Sequence, residues 1–166
     1  MGKYSAYIRF GHGRSDLTLL YSNPAILKEL SRDIVAPFID KKISKVLALD
    51  AQGFALGSLA AFHLNAGLVF IRKEGKIAWE TQSVAIEDYS HTPKKLEIAK
   101  DVLSNEDRVL VVDDWSETGA QLRGAIILAE QCGATVVGAA AINMDDKVLH
   151  DNSLSKYLLH CVELCR

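Results

Sequence analysis

Apolar residues are arranged along the chain in a pattern that predicts alternating buried strands and helices. Residues 109–112 are four consecutive apolar residues, three of them β-branched, which is typical of a strand buried on both faces of a sheet. Apolar residues then recur at helical spacing from Leu122 to Ala129, and Thr135–Ala141 is a second apolar run. A strand, a turn with one glycine, a helix and a strand form a βαβ unit, in which ligands bind at the carboxyl ends of the strands.

Similar patterns predict the other elements. They are a short strand or arm within 2–10, a helix that starts at Asn23–Pro24 and ends or kinks at Pro37, strands at 45–49, 67–71 and 93–98, a helix from about 55 to 64, and a final strand within 157–164. In the strand at 93–98, Leu96 and Ile98 should face inward and Lys95 and Glu97 outward. Residues 77–92 lack clear periodicity, which is typical of a mobile lid.

Length and composition restrict the class of protein. The 166 residues favour one domain, and 49% hydrophobic with 24% charged residues is a globular composition. The net charge of −2 gives no support for nucleic-acid or membrane-surface binding, so any anion site must be local. Three scattered cysteines indicate free thiols in a reducing compartment. Because no apolar run is long enough to span a membrane and no secretory core is visible, we expect a cytoplasmic location.

The clearest chemical signal lies where the central strand is expected to end. Asp113 and Asp114 follow the apolar run, and the turn Glu117–Gln121 leads into the next helix. Backbone N–H groups at a helix N-terminus favour an anion, Thr118 adds a hydroxyl, and Gly119 allows close approach of the backbone. Because the two carboxylates can accept hydrogen bonds from vicinal hydroxyls, the pair and the turn together predict a site for ribose 5-phosphate.

An acidic pair after an apolar strand has two other interpretations. In receiver domains an apolar strand also ends in two acids, which bind Mg²⁺, but there the pair lies near the start of the domain. Here it lies about two-thirds of the way along the chain. The acids would also suit a purely structural role at a strand end, but the turn chemistry that follows them argues against this.

Residues 109–121 resemble the signature with which type I phosphoribosyltransferases bind 5-phosphoribosyl 1-pyrophosphate (PRPP): a hydrophobic run, two acids, a spacer, then Thr-Gly and a small residue. Within that family the chain most resembles the members that act on adenine. Further matching stretches, in the family's order, are 14–24, 48–54, 71–76, 86–89 and 96–98. The resemblance implies a single-domain α/β fold over residues 1–166, with a central, mainly parallel sheet flanked by helices, a flexible lid loop at about 73–95 and a small hood.

The resemblance also implies an activity and its residues. The activity is transfer of the 5-phosphoribosyl group from PRPP to a purine base, adenine first, in purine salvage. It would use Mg²⁺ held through PRPP rather than by direct protein ligands, in a homodimer that binds neither nucleic acid nor membrane. The implied catalytic residues are Asp113, Asp114 and Glu87, of which the two aspartates also bind the ribose. The implied binding residues are Glu117, Thr118, Gly119, Ala120 and Gln121 at the 5′-phosphate, and Ala51, Gln52, Gly53, Arg72, Lys73 and Lys76 at the pyrophosphate. Tyr89 is implied in the lid. Phe10, Leu17 and Leu19 are candidates for the base site. Without the resemblance, Glu87 would be a surface carboxylate, and the three cations would equally suit a solvated loop.

The chain departs from the family's pattern at two positions. Gln52 stands where the adenine enzymes usually carry arginine, which removes a cation from the pyrophosphate loop. Gly119-Ala120-Gln121 replaces the usual Gly-Gly-Thr of the phosphate turn. These departures leave two alternatives open: a catalytically weakened PRPP or nucleotide sensor, and a transferase for another nucleobase.

Overall fold

The computed structural model describes residues 2–11, 14–87 and 93–163. Its strands are β1 (Arg9–Gly11), β2 (Arg14–Asp16), β3 (Lys45–Leu49), β4 (Gly67–Lys73), β5 (Thr81–Glu87), β6 (Pro93–Ala99), β7 (Arg108–Ser116), β8 (Thr135–Met144) and β9 (Leu158–Cys161). Its α-helices are α1 (Thr18–Ser22), α2 (Pro24–Asp33), α3 (Gly53–Leu64), α4 (Ala120–Gln131) and α5 (Asp146–Leu149), and short 3₁₀ helices cover Ser5–Tyr7, Ala36–Phe38 and Asn152–Leu154. Within these ranges, no helix has both the length and the apolarity that crossing a membrane requires.

One large sheet organises the fold, with its strands in the order β5-β6-β4-β3-β7-β8-β9. The five strands from β4 to β9 in this order run parallel, and β6 and β5 add to one edge in antiparallel fashion. β1 and β2 pair with each other in a separate antiparallel sheet. The predicted α/β fold with a central, mainly parallel sheet flanked by helices is therefore confirmed.

An apolar cluster on each face of the sheet explains the unbroken apolar run of β7. Val109 and Val111 belong to the cluster on the α4 face, whereas Leu110 and Val112 belong to the cluster on the face of α2 and α3. All four side chains are fully buried. Because both faces are covered, alternation between apolar and polar residues is lost, and each buried side chain contributes roughly 1.5–3 kcal/mol.

The start of α2 follows the predicted capping pattern. Asn23 Oδ1 accepts hydrogen bonds from the backbone N–H groups of Ala25 (3.1 Å) and Ile26 (3.2 Å), and Pro24 is the first helical residue. The helix ends at Asp33, and Pro37 lies in the separate 3₁₀ helix that follows. Capping satisfies N–H groups that the first helical turn leaves without partners, so this boundary is determined locally.

Several strands extend beyond their predicted ends. β4 continues to Lys73, so Arg72 and Lys73 belong to the strand and not to the loop after it. β7 continues to Ser116, so the acidic pair lies inside the strand, with Asp113 opposite Ala141 of β8. Polar residues are accommodated there because strand pairing satisfies the backbone whatever the side chain is.

The stretch 77–92, which lacks clear periodicity in the sequence, contains a strand that was not predicted. Thr81–Glu87 forms β5, which pairs with β6 along its whole length. The side chains of Val84 and Ile86 pack on the α4 cluster, where Gly124 leaves room for them: a Cβ there would lie 2.6 Å from Ile86 Cγ2. Packing of alternate side chains against α4 thus stabilises this strand, although its hydrophobic periodicity is weak in the sequence. Tyr89 lies outside the described residues, and the lid at about 73–95 stays a prediction.

Glu97 was expected to face outward, and this is wrong. Its residue surface is only 5% exposed, and its Oε1 accepts hydrogen bonds from the backbone N–H groups of Lys76 (2.9 Å) and Ile77 (3.0 Å). The carboxylate therefore closes the connection between β4 and β5. Leu96 and Ile98 are buried, as predicted.

Gly138→Ala should destabilise the fold, because a Cβ at this position of β8 would overlap the backbone oxygen of Leu158 in β9 and lie 2.8 Å from Phe38 Cε1. We expect a loss of about 1–3 kcal/mol in the free energy of unfolding, measured by urea denaturation. Gly11→Ala is the matched control, since a Cβ there meets no heavy atom within 4 Å. Equal midpoints for both variants and the wild type would contradict the packing of β9 on β8.

Candidate active site

A cleft of about 660 Å³ opens where β7 and the turn before α4 meet the loop before α3 and the small β1–β2 sheet. Its lining residues are Phe10, Gly11, Ser15, Gln52, Lys73, Asp113, Asp114, Trp115, Ser116, Glu117, Thr118, Gly119, Ala120 and Gln121. The cleft thus contains the acidic pair and the whole predicted phosphate turn, at the carboxyl ends of parallel strands where open α/β sheets bind ligands.

The acidic pair is held in a largely dry position. Asp113 is only 7% exposed, and its Oδ1 accepts a hydrogen bond from the backbone N–H of Asp114 at 2.9 Å. Burial, followed by the charge of Asp114, raises the pKa of Asp113 well above its ordinary range, and the charge of Lys73 acts in the opposite direction. Burial likewise raises the pKa of Asp114. The pair therefore favours a ligand that supplies hydrogen-bond donors or positive charge.

The loop between β3 and α3 reaches the acidic pair. Gln52 Nε2 donates a hydrogen bond to Asp114 Oδ2 at 3.1 Å. A Cβ at Gly53 would lie 3.0 Å from Val112 O and 3.1 Å from Asp113 Oδ1, so glycine permits this close approach. The predicted pyrophosphate loop, Ala51 to Gly53, is thus brought against the predicted ribose site.

The phosphate turn leads directly into α4. Gly119 adopts a left-handed conformation with φ of +74° and precedes the first residue of the helix, Ala120. Thr118 Oγ1 accepts a hydrogen bond from the backbone N–H of Ala120 at 3.3 Å. Glu117 is exposed at the start of the turn, and Gln121 lies in the first turn of α4. Backbone N–H groups that the helix leaves without partners meet the cleft here, which suits an anion.

Arg123 stabilises this turn, a role that sequence reasoning missed. Its Nη2 donates to Thr118 O at 3.1 Å, and its Nη1 donates to Asp151 Oδ2 at 2.6 Å. The helical spacing placed Arg123 one turn into α4, but the partner, Asp151, lies 28 residues further along the chain. Only the fold brings the two together.

The three cations predicted for pyrophosphate binding separate into two groups. Lys73 lines the cleft, whereas Arg72 Nε and Lys76 Nζ lie 3.5 Å and 3.6 Å from Oδ2 of the buried Asp50. The Arg72 guanidinium also lies over the ring of Phe54, 5.7 Å from its centroid. Arg72 and Lys76 therefore neutralise Asp50, and Lys73 is the one of the three that faces the acidic pair.

Two aromatic rings at the mouth of the cleft complete the site. Phe10 of β1 is 65% exposed, and its ring meets that of Trp115 edge to face, with centroids 5.6 Å apart and planes at 81°. Trp115 was missed by sequence reasoning, although a large aromatic residue directly after two acids is a usable signal. Leu17 is buried in the core at 1% exposure, and neither Leu17 nor Leu19 is among the residues that line the cleft, so their contact with the base stays a prediction.

Glu87 is not among the described residues that line the cleft. It ends β5, and its side chain is exposed. Its catalytic role stays a prediction.

A mainly parallel α/β sheet with an acidic pair, a glycine turn into a helix and a second loop at the ends of adjacent strands is typical of α/β proteins that bind phosphorylated ligands at this edge of the sheet. Residues 17–155 match the phosphoribosyl transferase domain. The chain belongs to the phosphoribosyltransferase family.

Named relatives agree with this assignment. The chain is 38% identical to an adenine phosphoribosyltransferase of Cupriavidus necator over 144 residues, which cover 84% of this chain and 75% of the relative. It is 38% identical to that of Methylococcus capsulatus over 127 residues, covering 76% and 74%. The crystal structure of the Rhodothermus marinus adenine phosphoribosyltransferase superposes with a TM-score of 0.89 at 28% identity, covering 96% of this chain and 95% of that one. The Giardia lamblia enzyme, complexed with 9-deazaadenine, gives a TM-score of 0.89 at 25% identity, covering 100% and 99%.

Asp113→Asn should stabilise the protein at neutral pH, because it removes a buried charge while keeping the shape of the side chain. The raised pKa means that the folded protein binds this proton more tightly than the unfolded chain. Wild-type stability should therefore fall as the pH rises from the ordinary carboxyl range through the raised pKa, and the variant should lose less. We expect a gain of about 2–4 °C in Tm at pH 7 that shrinks towards acid pH, measured by calorimetry.

Asp40→Asn, an exposed change, is the control and should leave Tm unchanged at each pH. A wild type more stable than Asp113→Asn at pH 7 would contradict the inferred cost of burying this carboxylate.

Proposed function

We propose that this phosphoribosyltransferase transfers the 5-phosphoribosyl group from PRPP to a purine base, adenine first, and releases a nucleoside 5′-monophosphate and pyrophosphate in purine salvage. The observation that carries the proposal is that the acidic pair and the N-terminal turn of α4 line one cleft. A diol site beside a phosphate site is what a ribose 5-phosphate requires. The adenine phosphoribosyltransferases named above support adenine as the base.

The reaction builds positive charge on the ribose ring as the pyrophosphate leaves, so catalysis rests on electrostatics and positioning. The N–H groups from Thr118 to Gln121 would hold the 5′-phosphate. Asp113 and Asp114 would accept hydrogen bonds from the ribose hydroxyls, and their charge would stabilise the developing cation. Hydrogen bonds from the hydroxyls and the positive charge on the ring would both lower the free-energy cost of ionising these buried carboxylates. Burial raises the pKa of both groups, so such a ligand would offset that cost.

We also propose that Mg²⁺ is held through PRPP and not by direct protein ligands. Mg²⁺ prefers oxygen ligands and commonly binds substrate phosphates and water. PRPP would supply such oxygens, and the described residues contain no group of three or more His, Cys, Asp or Glu side chains that could hold a metal. When bound, the ion would neutralise charge on the diphosphate. Lys73 would provide a further positive charge on the same side of the cleft.

Phe10 and Trp115 are suited to bind the purine. Their rings pack edge to face and line the same cleft as the acidic pair, which Trp115 directly follows in the sequence. Aromatic side chains stack on nucleobases with little dependence on the identity of the base. We therefore assign stacking to these two rings. Glu87 and Tyr89 remain proposed members of a lid that closes over the base.

We also propose that the enzyme is a homodimer in the cytoplasm. Phe70 of β4 is 45% exposed, and its ring lies 4.5 Å from that of Phe54. We propose this exposed aromatic pair as part of a contact with a second copy, as the family resemblance implies. Free thiols at Cys132 and Cys161 support a reducing compartment. Sedimentation as a monomer at micromolar concentration would contradict the dimer.

A regulatory PRPP-binding protein is the second candidate. The observation that favours it is the neutral Gln52, whose amide is hydrogen-bonded to Asp114 where the family usually places a cation. This contact would have to break, or be shared, for Asp114 to bind a ribose hydroxyl.

Turnover of PRPP with each common nucleobase, in the presence of Mg²⁺, tests the proposal. We expect pyrophosphate release and nucleotide formation with adenine. The variant carrying Asp113→Asn and Asp114→Asn should lose at least about 100-fold in kcat/KM, since two charged hydrogen-bond acceptors are removed. Tight PRPP binding without turnover of any base would instead support the regulatory candidate.

Lys73→Gln should raise the KM for PRPP by about tenfold, because it removes the cation that faces the acidic pair and the diphosphate. Lys156→Gln is the matched control, since Lys156 is paired with Glu130 outside the cleft, at 3.0 Å. Steady-state kinetics with adenine at saturation measures both. An equal KM in the two variants would remove Lys73 from the pyrophosphate site.

A further inference from the structure

A buried tyrosine hydroxyl lies near the acidic pair and has no role in the mechanism above. Tyr21 belongs to α1, where its backbone N–H donates to Leu17 O at 3.0 Å. Its ring packs on the apolar cluster that contains Val112, the residue just before Asp113. The hydroxyl oxygen is buried and has no hydrogen-bond partner among the residues that the structure describes.

Such a hydroxyl is unusual, because buried tyrosine O–H groups normally have a partner. Phenylalanine would fill the same space without the cost of removing a polar group from water. A donor that is desolvated but unpaired is therefore suited to an acceptor that moves into reach when a ligand binds.

The acidic pair supplies acceptors in the right region. Burial first, then the charges of Asp114 and Asp113, raise the pKa of Tyr21, so both carboxylates act on its hydroxyl through a low-dielectric interior. In the free protein Asp114 Oδ2 accepts a hydrogen bond from Gln52, and Asp113 Oδ1 accepts one from the backbone of Asp114. The Gln52 contact is the exposed one, on the side where the pyrophosphate would bind.

We propose that Tyr21 is a positioning residue for the sugar site: its hydroxyl donates a hydrogen bond to Asp114 when PRPP draws Gln52 away. The bond holds the carboxylate ionised and oriented to accept from a ribose hydroxyl. This inference rests on the proposed function, since it assumes that the acidic pair binds the ribose of PRPP. It adds a residue from α1, outside the lining of the cleft.

Tyr21→Phe tests this, with PRPP affinity measured by calorimetric titration in the presence of Mg²⁺. Loss of a hydrogen bond to a charged group predicts that the Kd for PRPP rises about tenfold. The Tm of the unliganded variant should equal or exceed that of the wild type, because the hydroxyl is unpaired in the free protein. Tyr157→Phe, which removes a hydroxyl that donates to Glu130 at 2.7 Å, is the matched control and should leave the Kd unchanged.

A double-mutant cycle with Asp114→Asn separates positioning from general packing. If Tyr21 acts through Asp114, adding Tyr21→Phe to Asp114→Asn should change the Kd by less than about twofold. An unchanged Kd in the single variant overturns the proposal, as does the full tenfold effect in the Asp114→Asn background. A lower Tm for Tyr21→Phe also overturns it, since that result would give the hydroxyl a partner in the free fold.

Failure of the enzyme assignment and failure of the proposed role of Tyr21 give different results. If the wild type binds PRPP but turns over no base, and Tyr21→Phe still weakens PRPP binding, the enzyme assignment fails and the role of Tyr21 stands. If the wild type turns over adenine and Tyr21→Phe binds PRPP with the same Kd as the wild type, the enzyme assignment stands and the role of Tyr21 fails. Failure of the wild type to bind PRPP overturns both.

Discussion

The site depends on one constraint, the placement of two adjacent carboxylates in a strand that the fold almost removes from water. Burial disfavours the charged form of Asp113, and Asp114 beside it adds like charge. The surroundings offset this cost only in part, through a backbone N–H, the Gln52 amide and the charge of Lys73. Because the two carboxylates are only partly compensated, a ligand that supplies hydrogen-bond donors and positive charge would stabilise their ionised form. In the proposed reaction, ribose hydroxyls and a developing oxocarbenium ion would supply them.

The parallel sheet is what allows other groups to reach this pair. β3 and β7 are neighbours and run in the same direction, so the loop after β3 and the turn after β7 end at one edge. Glycine permits the contact at Gly53, where any side chain would press on Val112 and Asp113, and permits the left-handed turn at Gly119. Arg123 and Asp151 then hold the turn from the other side. The same edge receives Phe10 from the small β1–β2 sheet, which places an aromatic ring opposite Trp115.

Much of the fold and half of the site were predictable because their causes are local. The capped start of α2, the strand Lys45–Leu49 and the βαβ unit around the acidic pair follow from spacing and side-chain type within a few residues. The phosphate turn follows in the same way from its glycine and the helix after it. The orientation of Glu97 was predicted wrongly for a different reason. A buried carboxylate at Glu97 is stable because two backbone N–H groups from the β4–β5 connection reach it, and no spacing rule reveals that.

The sequence by itself determined the class of fold, the central strand, the acidic pair and the glycine turn into α4, since each depends on neighbours in the chain. Tertiary structure decided which charges are free to act. Arg72 and Lys76 lie within 4 Å of Asp50, whereas Lys73 lines the cleft together with the acidic pair. It also decided that Tyr21, an unremarkable position in a short helix, has its hydroxyl buried near Asp113 and Asp114. Charge and hydrogen-bond satisfaction depend on distance in space, and only the folded chain sets those distances.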